Sequence, residues 1–152
     1  MLDFPASPTL NQIHQPVAGG PAWRFDSVKW VAQGAALPYI IGFDIPGVLT
    51  AGAVFAHVFA TPAAFAVNFA GSQARGSAVA AGTPVVTFSK SLASSPLAFT
   101  DIGNVTFSSG TTNPTFFAAA APSFAIGDTI RGLVTAGDAS FADLYLTLAG
   151  TR

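Results

Sequence analysis

Ser123-Phe-Ala-Ile-Gly-Asp-Thr-Ile-Arg-Gly-Leu-Val-Thr135, followed after a Gly137-Asp138 turn by Phe141-Ala-Asp-Leu-Tyr-Leu-Thr-Leu148, is the stretch whose reading decides the fold. Leu144, Leu146 and Leu148 alternate with Tyr145 and Thr147, the period of a strand with one buried face. Ile130, Gly132 and Val134 alternate in the same way with Arg131, Leu133 and Thr135. Gly127-Asp128 and Gly137-Asp138 carry the turn chemistry that separates such strands. The carboxyl end is therefore read as two strands, and its period sets the expectation for the rest.

Working outward, a chain of 152 residues is long enough for one domain plus a short extension, burying roughly 68–70% of its unfolded surface. Fourteen Phe residues supply the core, each contributing about 1.5–3 kcal/mol when fully buried. Only 9% of residues are charged, against about 25% in ordinary soluble domains. All seven acids are Asp. Glu favours helices and Asp does not, so the choice of acid agrees with the Phe, Val and Thr content in predicting strands and turns.

Net charge is −1, and Arg24, Lys29, Arg75, Lys90, Arg131 and Arg152 are scattered rather than clustered, which argues against a nucleic-acid partner. The chain has no Cys, so no disulfide framework or thiolate ligand set is expected, in keeping with synthesis in a reducing cytoplasm. The start, Met-Leu-Asp-Phe-Pro, lacks the basic and apolar regions of a signal peptide. No charge falls between Asp44 and Arg75, yet Pro46, Gly47, Gly52, Pro62, Asn68 and Gly71 interrupt that run, against a spanning helix of about 20 apolar residues. No membrane partner is expected. So few charges leave apolar patches on a free monomer, and such patches mark contacts with other chains; self-association is expected.

Residues before Leu37 differ from those after it. Pro5, Pro8, Pro16 and Pro21 fit an extended or polyproline-like segment with Gly19-Gly20 as a joint. Then comes Trp23-Arg24-Phe25-Asp26-Ser27-Val28-Lys29-Trp30-Val31. With Asp26-Ser27 as a two-residue loop, Phe25 lies opposite Val28 and Trp23 opposite Trp30 on one face, and Arg24 and Lys29 share the other. A lone hairpin is marginal in water, so it must dock on something. Three readings stand: a satellite core on the chain's own sandwich, docking onto another subunit or protein, and a Trp platform for stacking on sugar.

Leu2-Asp3-Phe4-Pro5-Ala6-Ser7-Pro8-Thr9, then Asn11-Gln12, Trp23-Arg24-Phe25-Asp26 and Lys29-Trp30-Val31, resembles the amino-terminal segment of structural proteins of tailed bacteriophages, among them fibre, collar and head-attached proteins. Those segments read Phe-Pro-x-x-Pro-x-x-x-Gln, then Trp-x-Trp-Asp-Gly-x-x-Trp; here Phe25 stands for the second Trp and Ser27 for the Gly. The resemblance covers the first 31 residues. It implies a location in the virion and makes Phe4, Pro5, Pro8, Trp23, Phe25 and Trp30 the candidate attachment residues. Lys90, Ile102-Gly103, Thr106-Phe107 and Phe124 to Ile130 are also similar to small β-sandwich modules of phage and prophage virion proteins.

Past Leu37, strands are predicted near Tyr39–Ile45, Ala53–Phe59, Ala64–Phe69, Ser77–Ala80, Val85–Lys90, Phe99–Phe107, Thr115–Ala118, Thr129–Thr135 and Asp143–Leu148. Turn residues separate them, Ser94-Ser95-Pro96 and Asn113-Pro114 among others, and the even spacing predicts a sandwich or barrel, read here as a jelly roll. Asp101 breaks the apolar alternation of its strand, which a bulge near Gly103 repairs. Ala118 to Ala121 has the composition of a brief helical turn ended by Pro122. The recurrent Phe-Ala pairs are unevenly spaced and are composition rather than a repeat.

Chemistry is sparse. His14 and His57 have no partner at ligand spacing, and zinc, EF-hand and P-loop patterns are missing, so neither metal nor cofactor is expected. His57 reads as a strand histidine at a packed or interface position. Asp101, Asp128, Asp138 and Asp143 could in principle supply a carboxylate pair, and each reads more simply as a turn, bulge or strand-start residue. No nucleophile elbow occurs. Asn104-Val105-Thr106 is a formal sequon inside a predicted strand.

The expectation is thus an all-β chain with an attachment arm at 1–36, carrying the hairpin, and a jelly-roll-like β-sandwich at 37–152. Its function would be non-enzymatic and structural: a capsid-decoration, head-fibre or collar-type virion protein, assembled in the bacterial cytoplasm. Its partners would be its own copies, as a homotrimer, and a major capsid or collar protein. The alternatives are a carbohydrate- or host-receptor-binding module of a short tail fibre, meeting a host surface glycan through its loops, and a hydrolase of cell-surface polymer.

Overall fold

The structure, a computed structural model, describes residues 3–16, 22–32 and 37–152. Leu2, the Gly19-Gly20 joint and Pro21 lie outside the described residues. The chain divides into two compact units, Met1–Leu37 and Pro38–Arg152. In the first, β1 (Ile13–His14), β2 (Trp23–Phe25) and β3 (Trp30–Ala32) form an antiparallel sheet in that order.

The second unit, the body, runs through β4 (Pro38–Leu49), β5 (Val54–Val58), β6 (Ala63–Phe65), β7 (Gln73–Arg75), β8 (Val85–Leu92), β9 (Ser95–Phe107), β10 (Pro114–Phe117), β11 (Ser123–Phe124), β12 (Thr129–Ala136) and β13 (Asp138–Thr151). One sheet has the order β10-β9-β8-β12-β5, the other β11-β6-β13-β4, with β7 also paired to β13. All pairings are antiparallel. The protein is all-β, and the body is a β-sandwich with a single core between its sheets.

That core is the period-two reading made solid. Phe141, Leu144, Leu146 and Leu148 of β13 are buried, as are Val86 and Phe88 of β8, Val105 and Phe107 of β9, and Ile130 and Val134 of β12. Phe107 meets Phe141 across the sheets at 4.5 Å between ring centroids, and Phe59 stacks on Phe124 at 4.2 Å. A Phe-rich, Leu-poor core needs room for its rings, and glycine supplies it. Gly132 pairs with Phe55, whose ring occupies the space where a Cβ on Gly132 would stand. Here a sheet interior tolerates glycine because an aromatic neighbour covers it.

Several local expectations change. The predicted strands at the carboxyl end are present but lie in opposite sheets, so Gly137 carries the chain from one layer to the other. β13 starts at Asp138, not Asp143. Asp143 instead lies within it at an irregularity between the pairs Ala142–Val48 and Leu144–Ile45, where Pro46 and Gly47 of β4 face it alone, at φ 51°. The bulge near Gly103 is present: Phe88 pairs with Gly103 and Ser89 with Asp101, leaving Ile102 as the extra residue. Ser77 to Ala80 forms no strand; β7 lies just before it, and Gly76 sits against the Phe141 ring where a regular strand's side chain would clash. Strand Ala64–Phe69 is shortened because Asn68 and Phe69 take positive φ. Ser95-Pro96 opens β9 rather than separating strands, and Ala118 to Ala121 is not helical.

Candidate functional site

The residues that the sequence singles out for attachment lie in the amino-terminal unit, and its turns explain how they meet. The Asp26 carboxylate accepts the N–H groups of Val28 at 3.0 Å and Lys29 at 2.8 Å, and the Asp26 N–H donates to the Lys29 carbonyl. This Asx-type clasp centres the loop on Ser27-Val28, with Ser27 at φ 85°. The predicted register is therefore corrected by two residues: Phe25 pairs with Trp30, and Trp23 with Ala32. A shift by an even number keeps every side chain on its own face, so Trp23, Phe25 and Trp30 still share one. The backbone donors, Lys29 first, hold the Asp26 carboxyl below the ordinary carboxylate range.

The leader preceding the hairpin folds onto that face. Thr9 to Gln12 forms a turn, with the Gln12 N–H donating to the Thr9 carbonyl and the Thr9 N–H to Gln12 Oε1. Asn11, at φ 64°, lets the chain reverse, after which β1 pairs with β2, Ile13 opposite Arg24 and His14 opposite Trp23. Phe4 becomes the hub. Its ring stacks on Trp30 at 5.3 Å, meets Trp23 edge-on at 5.5 Å and lies 5.8 Å from His14. Phe25 adds a contact to Trp30 at 5.5 Å. His14 Nε2 is 2.7 Å from the Asp3 carbonyl. Reading the sequence left His14 without a partner at ligand spacing; the fold makes it a cluster member, because the pairing of β1 with β2 places it beside the rings of Phe4 and Trp30.

Pro5 and Pro8 are half-buried on the leader, Pro5 next to Phe4 and Pro8 just before the turn. No described residue of this unit is fully buried. The Trp23 indole nitrogen is shielded from solvent yet has no hydrogen-bond partner among the described residues. An indole N–H withdrawn from water ordinarily finds an acceptor.

In the body, the carboxylates considered for catalysis serve the backbone. Asp128 accepts from the N–H groups of Ala125 and Ala93 and pairs with Lys90 at 2.9 Å. Asp138 accepts from Gly82 and Ser140. Asp143 accepts from the Gly47 N–H and the Ser77 hydroxyl. All three carboxyls are held below the ordinary range, chiefly by the N–H of Ala125, of Gly82 and of Gly47 respectively. Asp101 accepts from the buried Ser89 hydroxyl at 2.7 Å. His57 Nε2 lies 3.0 Å from the Tyr39 hydroxyl, with its ring edge-on to Phe59. Asn104 is half-buried within β9. Among the described residues no three His or carboxylate side chains converge as metal ligands, and no helix is long and apolar enough to cross a membrane. Comparison with protein families, with curated proteins and with solved structures finds no match.

Proposed function

We propose that this is a non-enzymatic structural protein of a tailed-phage virion, of capsid-decoration, head-fibre or collar type. The amino-terminal unit grips another virion protein, such as the major capsid or collar protein, and the body faces outward. The observation that carries this reading is the incompleteness of the amino-terminal unit. It comprises 37 residues by its bounds, and below about 40 residues a fold usually needs a disulfide, a metal or association. The chain has no Cys. The unit's aromatic cluster keeps Phe4, Trp23, Phe25 and Trp30 each partly exposed. A neighbouring surface that covers Phe4, Trp23, Phe25 and Trp30 would supply the missing burial.

The body is read as a jelly roll. Counting β6 and β7 as one strand and setting β10 aside, its eight strands lie in the orders 1-8-3-6 and 2-7-4-5, an arrangement of two Greek keys. Assembly as a homotrimer is supported by edge strand β5, Val-Phe-Ala-His-Val, which carries no charge or Pro to blunt it. Val54 and Val58 stand 56% and 60% exposed there. Attachment then adds stability to the assembled particle through burial that exists only in the complex.

The test is sedimentation of the full-length chain with particles assembled without it, compared with Trp23→Ala and Trp30→Ala. Wild-type co-sedimentation with loss in both variants, while the body remains folded, is the expected result. Undiminished attachment of both variants would refute the role of the cluster.

A further inference from the structure

A second site lies in the body and does not depend on the attachment reading. The pairing of β7 with β13 places Arg75 opposite Tyr145 and Gln73 opposite Thr147. Directly opposed side chains have Cβ atoms about 4.5–5.5 Å apart, so these four make a compact square on one sheet face. Thr112 and Asn113, on the approach to β10, complete a concavity of about 470 Å³ with them, a size typical of small-ligand sites.

What distinguishes this concavity is that its polar side chains have no partner among the described residues. Among the described residues, Gln73, Arg75, Asn113, Tyr145 and Thr147 make no side-chain hydrogen bond and Arg75 no ion pair. The 580 Å³ concavity around Lys90 and Asp128 is the contrast. There the two charges neutralise each other at 2.9 Å, and Lys90 also donates to the Ser123 carbonyl. In the groove, one cation, two amides, a hydroxylated strand residue and an aromatic ring 56% exposed point at the same space.

We infer that this groove binds an acidic saccharide, a pyranose bearing a carboxylate. The guanidinium of Arg75 matches a carboxylate with two parallel N–H donors, and no acid lines the groove to compete for it. Asp44, across Tyr145 on β4, directs the anionic end toward Arg75. The amides of Gln73 and Asn113 each offer donor and acceptor, matching adjacent hydroxyls that do the same. The ring of Tyr145 offers an apolar face for the C–H side of the sugar, with its hydroxyl still wet. A single cation suits a monoanion; a phosphate dianion calls for more positive charge than this groove holds.

The experiment uses the full chain on an array of uronate-, sialate- and neutral glycans, followed by titration with galacturonate trisaccharide, its methyl ester, inorganic phosphate and poly-glutamate. Acidic glycans are expected to be retained above neutral ones, and the acid trisaccharide to bind at least tenfold more tightly than its ester. Arg75→Gln should remove that difference, Tyr145→Ala should abolish binding of both forms, and Arg24→Gln should change nothing. Far-UV circular dichroism and melting temperature check that the variants fold; Tyr145→Phe, which keeps the ring, should retain binding. The inference is overturned by no acidic preference on the array, by unchanged binding in Arg75→Gln, or by phosphate or poly-glutamate binding as tightly as the saccharide.

Discussion

Phe4→Ala tests whether the leader is a folded part of an attachment unit. Phe4 touches Trp30, Trp23 and His14 and is half-buried. Truncating a fully buried Phe costs about 3–5 kcal/mol, so half burial implies a loss of about 1.5–2.5 kcal/mol. At about 0.05–0.15 kcal/mol per residue, a unit of this length holds only about 2–5.5 kcal/mol, so the change removes between about a third and all of its stability. The chain carries its own reporters: both Trp residues lie in this unit, while Tyr39 and Tyr145 lie in the body. Trp emission of Phe4→Ala should shift to the red and lose its cooperative denaturant transition. The melting of the body, followed by calorimetry and far-UV circular dichroism, should stay where it is in the wild type. Unshifted Trp emission would show that the leader does not pack on the hairpin. A matching drop in the body's melting temperature would show that the units fold as one, which removes the argument from an incomplete amino-terminal unit.

Three further outcomes follow from the body. Gly132→Ala drives a methyl group into the Phe55 ring and should cost about 1–3 kcal/mol by overpacking. Phe55→Leu should relieve part of it, read as a coupling in a double-mutant cycle by urea denaturation; simple additivity would contradict the contact. Asp128→Asn keeps the shape but loses the charge facing Lys90 and leaves one of the N–H groups of Ala93 and Ala125 facing an amide donor. A loss of about 1.5–3 kcal/mol is expected, and a midpoint equal to the wild type would refute the latch. For pH, the carboxyls of Asp128, Asp138 and Asp143 are lowered on folding. Their stabilisation is fully present above the ordinary value near 3.9 and is lost as pH falls through the lower folded values. The urea midpoint of the body should therefore hold from pH 7 to about 5 and fall below about 4; one that does not change down to pH 3 would contradict the assignment.

Much of the body was legible because its strands are half-buried and alternate. Leu144, Leu146 and Leu148 reveal β13, and Val86 and Phe88 reveal β8, without reference to partners. The mismatch at Asp101 revealed a bulge for the same reason. β7 and β11 were not legible: with three residues and two, neither is long enough to show a period, and each exists because β13 or β6 offers it an edge. The register of the hairpin was lost to one side chain, since nothing in Asp26-Ser27 says that the carboxylate will reach forward to Val28 and Lys29. The groove was invisible in the sequence for a stronger reason. Arg75 and Tyr145 are seventy positions apart, and only the pairing of β7 with β13 makes them neighbours.

Four of the seven Asp residues share a role that composition alone did not supply. Asp26, Asp128, Asp138 and Asp143 each accept backbone N–H groups at a turn or bulge. In Asp26, Asp128 and Asp138 the carboxylate, one carbon from Cα, reaches amides two or three residues away, which is why Asp forms such turns, whereas Asp143 reaches across to Gly47. Glu, one methylene longer, would overshoot the same donors. In a chain with few charges, committing carboxylates to backbone amides locks the connections and leaves sheet faces of Ala, Val, Ser and Thr available to other molecules. Arg75, like the other cations apart from Lys90, has no carboxylate partner among the described residues, but it alone stands in a concavity beside unpartnered amides. That contrast between Asp128, answered by Lys90, and Arg75, unanswered, is what separates a structural concavity from a binding one in this molecule.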